Sequence, residues 1–239
     1  MKSRIAVVLV EPQTSRNIGS VARAMKNFGY YDLRLVRPVH FSQTDAAVTA
    51  CQAGDLISSA RCYDTLEESL ADCTDVLAFS ARTGRNRKQI SLPEIGGELG
   101  INGISALLFG PEDTGLRKEH LALARLVVEI PAATDYPSFN VSQAVLLALA
   151  EIFRAPPSRD AACDLPEQNE FQQLDRLVKE AASKSGFYRE GTPEPIPRMV
   201  QSLFRRARPD LREMRILLGL FSRINRHIDF IAGSRAAEK

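Results

Sequence analysis

The 239-residue sequence is short of the residues that mark several enzyme classes. Its four cysteines, Cys51, Cys62, Cys73 and Cys163, form no Cys-x-x-Cys pair, and no histidine stands at zinc-ligand spacing from them, so no metal is expected. They read as reduced, mostly buried thiols of a cytoplasmic protein. The three histidines, His40, His120 and His227, are scattered, which gives a histidine triad little support. Gly-x-Gly-x-x-Gly, Gly-x-Ser-x-Gly, His-Glu-x-x-His and the Gly-Lys-Ser/Thr ending of a Walker loop are all missing. That argues against the common dinucleotide, esterase, zincin and P-loop chemistries. No apolar run is long enough for a bilayer: the longest, residues 144–153, is interrupted by Glu151. The opening Met1-Lys2-Ser3-Arg4 runs straight into the apolar residues 5–10, too short for a signal segment. Charge of either sign is not in excess, with 31 Lys and Arg against 29 Asp and Glu. A net +2 says little about partners, and distribution has to carry that argument.

What is present alternates. Apolar, β-rich runs fall at 5–10, 33–36, 76–79, 104–109 and 126–130, and segments of helical spacing lie at 19–28, 65–70, 117–123 and 141–153. Such alternation predicts an α/β fold with a mostly parallel sheet covered on both faces. Ligands of such sheets bind beyond the carboxyl ends of strands, so the loops after residues 10, 79, 109 and 130 are where chemistry is expected. Ala155-Pro156-Pro157-Ser158-Arg159-Asp160 opens a linker at 155–167. Beyond it three helical stretches, 168–184, 197–207 and 210–231, predict a helical extension over 168–239 attached to an α/β unit over 1–154.

Three short segments stand out. In Asn17-Ile18-Gly19-Ser20-Val21-Ala22-Arg23, helical spacing puts Val21, Met25 and Phe28 on one apolar stripe and Ser20, Arg23, Lys26 and Asn27 opposite. Gly19 near a helix start would leave N–H groups open to an anion, with Arg23 one turn on; a solvated helix face with a turn glycine is the plainer alternative. Phe109-Gly110-Pro111-Glu112-Asp113-Thr114-Gly115-Leu116 reads as a tight polar loop at a strand end, or as a plain acidic turn. In Tyr136-Pro137-Ser138-Phe139-Asn140-Val141-Ser142, Ser138 and Asn140 look like helix caps. The helix they precede is apolar nearly all round, with Ala144 and Ala148 one turn apart, so it is either fully buried or packed against another subunit.

Asn17-x-Gly19-x-x-x-Arg23, Phe109-Gly110-x-Glu112-x-x-Gly115-Leu116 and Ser138-x-Asn140-Val141-Ser142 resemble, in order, the three motifs of the SpoU/TrmH (SPOUT) RNA 2′-O-methyltransferases. Ser80-Ala81-Arg82 and Leu203-Phe204-Arg205-Arg206-Ala207-Arg208-Pro209 resemble the TrmJ-type branch, whose members carry a helical extension. Pro137 departs from the family, where a serine is common. The resemblance implies a trefoil-knotted methyltransferase fold, a homodimer and S-adenosyl-L-methionine as cofactor. Carried over residue by residue, it puts Ser80, Ala81, Gly110, Ile130, Pro137, Ser138 and Phe139 at the cofactor and makes Asn17, Glu112, Ser138 and Asn140 supporting residues. Arg23 takes the catalytic role, as an electrostatic stabiliser and phosphate anchor rather than a base, because a guanidinium is too weakly acidic to give up its proton and so stays charged.

Eight arginines, 198, 205, 206, 208, 212, 215, 223 and 226, crowd the last two predicted helices. Such a patch positions RNA through its phosphates, although a solvated helical face is an equally simple reading. Arg16, Arg82, Arg85, Arg205, Arg206 and Arg208 are the candidate RNA-binding residues. The resemblance implies ribose 2′-O-methylation of tRNA, at the pyrimidine of anticodon-loop position 32, with no membrane partner. A ribosomal-RNA ribose methyltransferase and a non-catalytic RNA-binding relative are the alternatives.

Overall fold

The computed structural model describes residues 4–81, 89–99, 102–133, 138–156, 164–188 and 195–237. Seven strands form one all-parallel sheet: β1 (Arg4–Val10), β2 (Asp32–Val36), β3 (Arg61–Tyr63), β4 (Asp75–Phe79), β5 (Gln89–Ser91), β6 (Ile104–Phe109) and β7 (Leu126–Glu129). Their order is β3-β2-β1-β6-β4-β7-β5. The helices of the α/β part are α1 (Ser15–Phe28), α2 (Gln43–Ala50), α3 (Gly54–Ser59), α4 (Leu66–Leu70), α5 (Ile95–Glu98), α6 (Lys118–Ala122) and α7 (Val141–Arg154). The tail contributes α8 (Gln168–Lys184), α9 (Pro195–Ala207) and α10 (Leu211–Ala237).

The side-chain period of two explains why the strands read as unbroken apolar runs. Ile5, Val7 and Leu9 of β1 face a core shared with α1, α2, α3, α5 and α7, while Ala6, Val8 and Val10 face a second core under α4 and α6. Both faces are therefore dry. The charges that enter this interior are paired. Arg34, fully buried on β2, is gripped by Asp32 and Asp72, and Arg125 bonds Asp75 at 2.6 and 2.9 Å and Glu98 at 2.8 Å. A buried pair adds little net stability, but loss of one partner strands a charge.

The tail is docked on the sheet's amino-terminal end. Gln168 N–H donates to the Cys73 carbonyl at 2.8 Å, Asn169 N–H to that of Ala71 at 3.1 Å, and the Gln172 amide to that of Glu67 at 2.9 Å. Helix α8 packs on α4 and on α10, and α9 on α6. A third core joins Phe171, Leu174, Val178 and Met214. Cys73 is buried, with its thiol pushed up to about 12 by burial, whereas Cys51 and Cys62 are exposed; this corrects the expectation of mostly buried thiols, and Cys163 lies outside the described residues. No helix among the described residues is long and apolar enough to cross a membrane.

Candidate functional site

Beyond the carboxyl ends of β4, β6 and β7 lies a cleft of about 280 Å³. Its lining joins Ser80 and Ala81 after β4, residues 110–116 after β6, Ile130 after β7, and Ser138, Phe139, Val141 and Ala144 at the start of α7. Of the residues assigned to a cofactor from the sequence, Ser80, Ala81, Gly110, Ile130, Ser138 and Phe139 are thus brought together. Pro137 lies outside the described residues. The floor is rigid: Phe79 and Phe109, on neighbouring strands, stack with ring centroids 4.5 Å apart.

The loop of residues 110–116 folds onto itself. A Cβ on Gly110 would stand 2.4 Å from the backbone of Gly115 and of Leu116, so only glycine permits this approach. Gly115 has φ +63°, in the left-handed region, and its N–H donates to the Pro111 carbonyl at 2.9 Å. The loop is also stitched to its neighbours. The Glu112 carboxylate accepts from the Asn17 amide at 2.7 Å and from Gln13 N–H at 3.0 Å. The Asn140 side-chain amide in turn donates to the Asn17 side-chain oxygen Oδ1 at 3.1 Å. Asn140 also caps α7, accepting from Ser142 N–H at 2.9 Å and from its hydroxyl at 2.7 Å. The first turn of α1 and two loops 95 and 123 residues further along the chain, after β6 and before α7, are therefore one hydrogen-bonded unit. A hydrogen bond from the Gln13 side chain holds the Asp113 carboxyl below the ordinary carboxylate range.

Several sequence expectations need correction. Helix α1 begins at Ser15, so Gly19 is not at its start; it is buried in the second turn, where a Cβ would lie 2.0 Å from the Ala46 carbonyl oxygen. The glycine serves close packing of α1 on α2, and its N–H is not open to an anion. The helix cap before α7 is Asn140, not Ser138. Helix α7 is not buried all round: Ala148 is fully buried in the chain's own core, as one of the two readings had it, whereas Leu146, Leu147 and Phe153 are exposed. Arg205, taken from its neighbours as an RNA contact, is only 2% exposed; it bonds Asp175 at 2.8 Å and lies over the Phe171 ring. Arg208 is partly buried beside Phe171 and Arg205, with φ +51°. Arg206, Arg212, Arg215, Arg223 and Arg226 are exposed. Arg82 and Arg85 lie outside the described residues.

Arg23 is exposed on α1, and its Nη1 lies 3.4 Å from Cys51 Sγ; it does not line the cleft of its own chain. Arg16 is exposed near the start of the same helix. Sequence reasoning missed Gln13, whose backbone N–H reaches Glu112 and whose side chain reaches Asp113, because both partners lie about a hundred residues further along the chain.

The fold and cleft define an α/β protein with an open cleft at its strand ends, bordered by segments locked together by side-chain amides and one carboxylate. Residues 4–150 match the profile of the SpoU rRNA Methylase family. The chain belongs to that family. It is 32% identical, over 94% of its length and 92% of the relative's, to a tRNA (cytidine/uridine-2′-O-)-methyltransferase TrmJ of Sodalis glossinidius. The crystal structure of TrmJ from Z. mobilis ZM4 superposes with a TM-score of 0.82 at 31% identity, covering 92% of this chain and 98% of that one. Another solved structure, described as giving insight into the 2-OH methylation of C/U34 on tRNA, is 31% identical with a TM-score of 0.50, covering 63% of this chain and 89% of its own.

Proposed function

We propose that this protein is an S-adenosyl-L-methionine-dependent tRNA ribose 2′-O-methyltransferase acting on the pyrimidine at anticodon-loop position 32, in the cytoplasm and as a homodimer. The observation that carries the reading is the Asn140–Asn17–Glu112 chain of hydrogen bonds, which closes three loops around the strand-end cleft. It accords with the TrmJ names of the relatives along most of the chain. The knotted path of those loops belongs to the same proposal, as does the division into a methyltransferase unit over 1–154 and an RNA-binding extension over 168–239.

The cleft suits the cofactor by its chemistry. Gly110 and Gly115 bring bare backbone to its edge, Ile130 and Phe139 give apolar walls, and Ser80 and Ser138 supply polar groups. When bound, the cofactor supplies an electrophilic methyl group for a ribose 2′-oxygen. The residues of the chain do the rest. Glu112, Asn17 and Asn140 hold the loops in register, so that the acceptor meets a preformed geometry. Arg23 neutralises the substrate phosphate and the charge that develops on the 2′-oxygen. Because Arg23 does not line its own chain's cleft, the homodimer gives it that approach, with α1 of one copy facing the cleft of the other. The exposed Leu146, Leu147 and Phe153 of α7 supply apolar surface for such a contact. Arg16, Arg82, Arg85 and Arg206 are left to hold RNA phosphates.

The test is methyl transfer from labelled cofactor to tRNA, followed by mapping of 2′-O-methyl groups, with wild type and Arg23→Ala. Wild type is expected to mark position 32, and the variant to bind cofactor but not transfer. Residual activity above about a tenth of wild type, a barrier change below ~1.4 kcal/mol, would remove the catalytic role of Arg23. A mark only at position 34, only in ribosomal RNA, or none at all would overturn the substrate reading.

A further inference from the structure

The carboxyl ends of β1 and β2 carry a charged cluster to which the function proposed above assigns no role. Glu11 directly follows β1 and Arg37 directly follows β2, and both have left-handed backbone, with φ of 50° and 46°. Each turn is anchored: Glu11 N–H donates to the Val36 carbonyl at 2.8 Å, and Arg37 N–H to that of Tyr63 at 3.0 Å. Non-glycine residues hold such backbone only where the surroundings impose it. The Glu11 carboxylate receives Arg37 and also Arg117, whose Nη1 and Nη2 donate to its two oxygens at 3.1 and 3.2 Å. Arg117 is the first residue after the 110–116 loop. Its guanidinium is further held by Glu119 at 2.7 Å and by contact with His120 Nε2 at 3.0 Å. Neither Glu11 nor Arg117 lines the cleft. Their side chains are 22% and 44% exposed, so the pair adds little to fold stability.

We propose that Glu11 is a positioning residue for the cofactor: its carboxylate fixes Arg117, and through it the Gly115–Leu116 backbone that packs on Gly110. The inference rests on the cofactor assignment made above. Glu112 holds the middle of the loop; Glu11 holds its exit. The geometry predicts an effect on cofactor binding and not on the chemical step.

The test is Glu11→Asn, which tolerates left-handed backbone but removes the charge and the reach. It is paired with Arg117→Met and the double variant, in the full chain. Both single variants should raise the KM for S-adenosyl-L-methionine by roughly tenfold, with kcat at saturating cofactor and the thermal midpoint nearly unchanged; the double variant should be no worse than either single one. An unchanged cofactor KM in both singles, or effects that multiply in the double, would overturn the inference. Wild type that fails to bind the cofactor would instead sink the assignment beneath it.

Discussion

Replacing Gly110 by alanine tests the architecture of the cleft most directly. The added Cβ would lie 2.4 Å from Gly115 C and from Leu116 N, about an ångström short of ordinary contact, and both atoms are backbone. Gly110 cannot retreat, because Phe109 just before it is laddered to Leu9 of β1 and stacked on Phe79 of β4. Leu116 is 2% exposed and belongs to the core under α4 and α6, so the other side resists as well. Overpacking of this kind costs about 1–3 kcal/mol, and each kcal/mol lowers the melting temperature by roughly 2–4 °C in a chain of this length. Gly54→Ala is the control: its Cβ meets nothing within 4 Å and its residue opens α3, so it should be neutral or slightly stabilising. Calorimetric melting of both variants gives the stability comparison. Titration with S-adenosyl-L-methionine should show an affinity loss in Gly110→Ala alone. A Gly110→Ala protein that melts and binds cofactor like wild type would refute the claim that the loop's shape depends on this approach.

Arg205→Ala should destabilise by about 3–5 kcal/mol in denaturant titration, since it leaves Asp175, 12% exposed, as an unpaired charge; the exposed Arg206→Ala should stay within about 0.5 kcal/mol. In acid, burial raises the carboxyls of Asp32 and Asp72, but the hydrogen bonds and charges of Arg34 and Arg61 together outweigh it and hold both below the usual carboxylate range. A lowered folded pKa means the unfolded state binds more protons, so their contribution is complete above about pH 4 and is lost as pH falls further. Asp32→Asn should therefore flatten the acid limb of a stability-against-pH curve and lower the plateau at neutral pH.

The larger helices and the central strands were legible because they are long enough to show a period: β1, β6, α1 and α7 coincide with the apolar runs. Strands β3 and β5, of three residues each, and the short α2, α3 and α5 carried too little pattern to be read. Their existence follows from edges that the neighbouring strands leave open and from surfaces of α1, covered by α2 and α3, and of α7, covered by α5. In α1 the apolar stripe was read correctly, with Val21 and Met25 fully buried, yet its start was placed at Gly19 instead of Ser15. The polar first turn, Ser15-Arg16-Asn17, offers no apolar period to extend.

The sequence by itself determined which short segments end at the strand-end cleft, because motif spacing, a strand followed by a polar loop, is a local property of the chain. It could not decide which arginine is free. Arg205 and Arg206 are adjacent and chemically identical, and only the packing of α9 against α8 turns one toward Asp175 and the other to solvent. It could not distinguish a glycine that greets an anion from one that admits a neighbouring helix, as at Gly19. Nor could it join Asn17 to Glu112 and Asn140, which lie 95 and 123 residues away. Those bonds exist because parallel β1 and β6 are neighbours in the sheet and α7 packs on α1, which places the three loops side by side at one end. Such adjacency is a property of strand order, and no single segment of the chain encodes it.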